Sequence, residues 1–134
     1  MSPRFLTSLL LVLSLPTRAA NDDAGIAFFE QKIRPVLVAE CYDCHSATAK
    51  KLKGNLKLDT RQSTLTPGDS GKPPIVPGDP DHSLLLEAIR QTNPDLTMPP
   101  KKQLPASVVH DFETWIRLGA PDPRTDNPSS TPKP

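Results

Sequence analysis

The only two cysteines of the chain stand three residues apart in Cys41-Tyr42-Asp43-Cys44, and His45 follows at once. Two thiols at that spacing in a helical turn can each add to one vinyl group on the same edge of a porphyrin. The imidazole that follows then projects beneath the ring, where one of its nitrogens reaches iron. CxxCH is therefore the attachment sequence for one covalent haem c, with Cys41 and Cys44 as thioether residues and His45 as a metal ligand. Other chemistries also use paired cysteines. A disulfide between Cys41 and Cys44 would close so short a loop that it adds little to the stability of the fold. A thioredoxin-like dithiol needs a strand before the motif and a βαβ pattern around it, whereas the periodicity before Cys41 is helical. A zinc site would need a fourth ligand and usually a second cysteine pair, and the chain has no further cysteine.

Met98 is the candidate for the second axial position. Apart from Met1 it is the only methionine, and it lies in Asn93-Pro94-Asp95-Leu96-Thr97-Met98-Pro99-Pro100, where core packing gives such a side chain little reason to be. A thioether in a stiff, proline-bound loop reaches a distal face with little loss of chain entropy, and Met/His ligation raises the reduction potential. The competing role is filler of a core gap. His82 and His110 are the other candidates, but His110 shares a helix face with Thr114 and Arg117, and His82 falls in a first helical turn, so both read as solvated. Phe112 and Trp115 are expected to line the haem pocket, with ordinary core as the alternative. Arg61 carries a fork of donors suited to a propionate, yet reads as a surface residue.

These residues must be positioned by few regular elements. A first helix is expected over residues 24–40, with Asp22 or Asp23 as N-cap and Ile26, Phe29, Ile33, Val36 and Leu37 on one face. Pro35 predicts a kink near Arg34 or two short helices in series. Residues 50–80 read as an irregular loop with at most one short strand pair. Asp79-Pro80 reads as an N-cap with proline at the first helical position, opening a helix to about Thr92. Residues 93–105 hold four prolines and predict no regular element. A last helix is expected over residues 106–118, with Val108, Val109, Phe112, Trp115 and Ile116 as its apolar stripe and Gly119 as its stop.

The ends of the chain read differently from its middle. Arg4, the largely apolar run from Phe5 to Leu15 and the small-x-small site Thr17-Arg18-Ala19 predict a signal peptide over residues 1–19, cleaved at Ala19 or Ala20. That apolar run falls short of the ~20 residues that span a bilayer, so no stable membrane insertion is expected and the mature protein is placed in the periplasm or otherwise outside the cytoplasm. Losing Arg4 and Arg18 takes the basic residues from 16 to 14 against 15 acidic ones, and the net charge from +1 to −1. That balance argues against nucleic acid as a partner. Residues 20–120 are expected to form one small domain that needs a staple, which a covalent haem would supply, and residues 121–134 a disordered proline-rich tail.

From about Phe28 to Pro121 the sequence resembles the planctomycete-type cytochrome c domain, a branch of the class I cytochrome c superfamily. The resemblance rests on Ile33-Arg34-Pro35-Val36-Leu37 leading into Cys41 to His45, on Gly54-Asn55-Leu56-Lys57-Leu58-Asp59, on Val76-Pro77-Gly78-Asp79-Pro80 with Ser83-Leu84-Leu85, on Met98-Pro99-Pro100, and on Trp115-Ile116 with Gly119-Ala120. It implies a small all-α, cytochrome c-like fold around one covalent haem, with thioethers at Cys41 and Cys44, His45 proximal and Met98 distal. In that family the domain commonly stands at the front of a longer chain, so here a redox partner protein acting in trans is expected. Electron transfer by a carrier that is no enzyme is the leading expectation, and a haem-based small-ligand binding or sensor module is the alternative. A peroxidase-like enzyme would need a distal acid-base pair that the sequence does not offer.

Overall fold

The computed structural model describes residues 18–126, with side chains from residue 22 onward. The segment read as a signal peptide lies outside that range except for its last two positions, and so do residues 127–134 of the tail. The described residues form an all-α fold without strands. None of their helices is long and apolar enough to cross a membrane.

Apolar residues four positions apart, Phe29, Ile33 and Leu37, put one stripe on a helical rod made of α1 (Arg18–Phe28), a π-helical turn (Phe29–Ile33) and α2 (Arg34–Glu40). The π turn is the response to Pro35. Proline has no N–H for the carbonyl one turn back, and its ring crowds that turn. Widening the turn by one residue, with the Arg34 N–H bonded to the Phe29 carbonyl, absorbs the defect while the rod stays continuous. Asp22 and Asp23 do not cap the rod, because it already begins at Arg18, and both are exposed positions inside it. Cys41 ends it as expected, leaving helical geometry at φ −121° while its N–H still bonds to the Leu37 carbonyl.

Two expectations for the middle of the chain are corrected. The stretch 50–80 contains a short helix, α3 (Arg61–Leu65), opened by a reciprocal cap in which Thr60 Oγ1 accepts from the Ser63 N–H and Ser63 Oγ accepts from the Thr60 N–H, both at 3.0 Å. The single helix expected after Asp79 is two elements, a 3₁₀ turn (Pro80–His82) capped by Asp79 and α4 (Leu84–Arg90). Ser83 separates them. Its buried hydroxyl accepts from the Val76 N–H at 2.9 Å and donates to the Asp79 carbonyl at 2.8 Å, which holds its backbone extended.

The last helix, α5 (Ala106–Arg117), stops where Gly119 at φ +95° and Ala120 at φ +52° turn the chain, their N–H groups bonding to the Ile116 and Trp115 carbonyls. Phe112, Trp115 and Ile116 of α5 pack on Phe29, Ile33 and Leu37, and Leu85, Leu86 and Ile89 of α4 complete the cluster. The Trp115 ring lies 5.5 Å from that of Phe29 and meets Phe112 edge-on at 6.2 Å. Each such side chain contributes about 1.5–3 kcal/mol on burial. Among the described residues only a dozen or so do this, so the core they form is modest.

The segment after α5 also differs from the expected tail. Asp122 and Arg124 are buried, with their charged groups paired at 2.6 Å, and the Trp115 Nε1–H donates to the Pro121 carbonyl at 2.9 Å. A paired guanidinium can be buried where an unpaired one cannot, and that is what lets so polar a segment pack. A chain ending at Ala120 should therefore be less stable by about 3 kcal/mol or more than one ending at Asp126, because Tyr42, Leu58 and Trp115 each lose a buried hydrogen-bond partner. Urea denaturation of the two truncated proteins checks this, with equal midpoints as the contrary result.

Candidate functional site

The CxxCH turn begins where α2 stops. Within it the N–H groups of Cys44 and His45 bond to the Cys41 carbonyl at 3.2 and 2.9 Å, and Ser46 Oγ donates to the Tyr42 carbonyl at 2.7 Å. The segment 53–59 is laid alongside. The Lys53 N–H bonds to the Cys44 carbonyl at 3.0 Å, the Leu58 N–H to the His45 carbonyl at 2.8 Å, and Asp59 Oδ2 accepts from the Ala47 N–H at 2.6 Å.

The His45 ring is oriented by the same segment, with Nδ1 at 3.2 Å from the Leu56 carbonyl. A carbonyl only accepts, so Nδ1 carries the proton. Nε2 then keeps its lone pair for a metal, which is the arrangement that fixes the tautomer of ligating histidines.

Cys41 and His45 line a cleft enclosing about 990 Å³ of empty space, its open mouth included. Leu56, Leu85, Ile89, Leu104 and Phe112 make its walls apolar, and Met98 lines it as well. Glu40, Lys53 and Ser70 are the few polar residues among the lining. This volume suits a ligand of some tens of atoms. A covalently held haem would need apolar walls, a pair of thiols at one edge and an axial imidazole, and this chain places the apolar walls, Cys41, His45 and the Met98 thioether around one space. Cys44 is half-buried in the same turn and is not part of the lining.

Met98 reaches the cleft from a loop without regular structure, as expected, but the loop is tied down. Its N–H bonds to the Ala88 carbonyl of α4 at 3.0 Å. The Gln91 side-chain amide lies within 3.1, 3.2 and 2.9 Å of the carbonyls of Met98, Pro99 and Lys102. Lys102 in turn pairs with Glu40 at 2.7 Å, joining the loop to the end of α2. Gln91 was not a candidate from the sequence, since a glutamine after a helix carries no signal of the backbone it will hold. Gly68 also escaped notice, and a Cβ there would run into the Gly54 carbonyl at the rim of the cleft.

The remaining candidates fall elsewhere. His82 is exposed and its Nδ1 lies 2.7 Å from Asp79 Oδ2, while His110 and Arg61 are exposed, and none of the three lines the cleft. Phe112 lines it as expected. Trp115 does not: it is packed into the core between Phe29 and Phe112. Among the described residues no three His, Cys, Asp or Glu side chains converge as a zinc site would require.

Burial pushes the Cys41 thiol up to about 12, and the neighbouring Glu40 carboxylate adds to the effect. That is opposite to the lowered value of a catalytic dithiol. The thiol is neutral when protonated and its folded value lies above the ordinary 9.0, so its contribution to stability is present below pH 9 and lost as pH rises from there toward 12. In the haem-free chain, iodoacetamide at pH 9 should alkylate Cys41 on the order of a hundredfold more slowly than in urea-unfolded chain. Equal rates would show that the thiol is not shielded.

No curated protein and no solved structure matches the chain. Residues 41–102, which run from the first cysteine of the CxxCH turn to just past Met98, match the planctomycete cytochrome C family, the family that the sequence resembles.

Proposed function

We propose that the chain is a single-haem c-type cytochrome that carries electrons outside the cytoplasm, with haem attached through Cys41 and Cys44 and with His45 and Met98 as its axial ligands. The observation that carries this reading is the convergence of His45 and Met98, from separate parts of the chain, on one apolar cleft beside Cys41. When bound there, haem supplies a one-electron iron couple.

The chain's own residues do the rest. Leu56 holds the Nδ1 proton of His45, so that Nε2 remains a donor. Leucine, isoleucine and phenylalanine side chains keep water from the cleft, which favours the less charged of two oxidation states. Ala88 and Gln91 hold the Met98 backbone, so the thioether need not be ordered when it binds. Glu40, the one carboxylate among the lining, is paired with Lys102 at 2.7 Å, and the walls around it are apolar, which supports a carrier over an enzyme. Electrons then pass to and from a partner protein in trans. The near balance of charge gives no support to nucleic acid or an anionic membrane as that partner.

Met98→Ala tests the ligand assignment. A thioether is soft and neutral and favours ferrous iron, so its loss should lower the reduction potential by about a tenth of a volt or more, within the ~0.8 V that axial ligands span. The weak ferric charge-transfer band near the red edge of the visible spectrum should vanish, and added imidazole or cyanide should bind more readily. A wild type without that band and a variant with an unchanged potential would remove Met98 as ligand. The small-ligand sensor would then become the leading reading.

A further inference from the structure

The buried ion pair of Asp122 and Arg124 lies beyond α5 and outside the stretch 41–102. The two residues are 6% and 4% exposed. Arg124 Nε lies 2.9 and 3.1 Å from the two carboxylate oxygens of Asp122, and Nη2 lies 2.6 Å from Oδ2. The carboxylate alone would satisfy the charge. Yet Nη1 reaches further, donating to the Tyr42 hydroxyl and to the Leu58 carbonyl, both at 2.6 Å, and the guanidinium lies 4.9 Å from the centre of the Phe29 ring.

Both targets of Nη1 belong to the haem site. Tyr42 stands between the two cysteines of the motif. Leu58 holds the His45 carbonyl through its own N–H at 2.8 Å, and two residues earlier Leu56 receives the Nδ1 proton of the same histidine. We propose that Arg124 is a positioning residue for His45, clamping the segment 56–58 against the CxxCH turn so that the Leu56 carbonyl stays on Nδ1. This rests on the haem reading of the site. Asp122 cancels the charge of Arg124, so the influence on iron travels through the backbone and not through the field of an isolated cation.

The sign of the effect follows from the chemistry of the ligand. A hydrogen bond from Nδ1–H to a carbonyl makes the imidazole a stronger donor and favours ferric iron. Slackening the clamp weakens that bond, so the reduction potential rises. It also frees the Nδ1 proton to exchange with solvent.

The experiment uses the holoprotein and two variants. Arg124→Lys keeps a charge for Asp122 but has no second arm for Tyr42 and Leu58, and the double variant Asp122→Asn with Arg124→Gln leaves no buried charge should the first fail to fold. Ile116→Val, a core truncation, serves as the control for lost stability. The clamp is supported if either Arg124 variant raises the potential and exchanges the His45 Nδ1 proton several-fold faster, by nuclear magnetic resonance, while Ile116→Val does neither. It is overturned if the Arg124 variants lower the thermal midpoint yet match the control in potential and exchange. Purified wild type without haem would overturn the haem reading and the clamp together, whereas haem present with unchanged readouts would overturn the clamp alone.

Discussion

A five-residue turn cannot hold its own shape, and at residues 41–45 the shape decides everything that the cleft can do. The constraint comes from the segment 53–59, which satisfies the Cys44 and His45 carbonyls, the Ala47 N–H and the His45 ring in one pass without forming a strand. Each bond is worth only about 1 kcal/mol net, but leaving any of them unmade in a half-buried turn costs more. The helices can be seen as the support for this pairing. The rod ends at Glu40 to deliver the first cysteine, α4 supplies the carbonyl that holds the Met98 backbone, and α5 closes the apolar wall with Phe112.

Burial of charge follows the same logic. Arg124 is drawn into the interior by Asp122, Tyr42 and Leu58. Burial alone would lower its affinity for a proton, but the Asp122 carboxylate more than offsets this and raises it. The Tyr42 phenol is raised by burial, against the pull of Arg124. Breaking a buried pair of this kind by removing one partner typically costs about 3–5 kcal/mol, a large part of what so small a domain has. The polar segment that follows α5 is thus part of the fold.

Much of the site was legible in the sequence because its chemistry is local. The CxxCH spacing is read from five adjacent residues and Met98 stands out among four prolines, and the structure brings Cys41, His45 and Met98 to one cleft. The end of the rod at Cys41 and the stop at Gly119 were also legible, as was the stripe that contains Phe112. What escaped depends on contacts between distant residues. Nothing near Arg124 in the chain announces Tyr42 or Leu58, and proline and polar residues around it mimic a solvated tail. The α3 cap escaped because serine stands where glutamate or glutamine usually signals it, and Trp115 was placed at the cleft because helical periodicity cannot tell which part of a buried stripe faces a cavity.

On the proposed reading, Cys41 and Cys44 hold a haem in this cleft by covalent bonds. The mass of the intact purified protein, measured after denaturation with acid and organic solvent, tests it most directly. The expected mass is that of the polypeptide plus one haem, with the visible absorbance travelling with the chain. A mass of the bare polypeptide, or one lower by the two hydrogens of a Cys41–Cys44 disulfide, with any haem left free in the solvent, would contradict it.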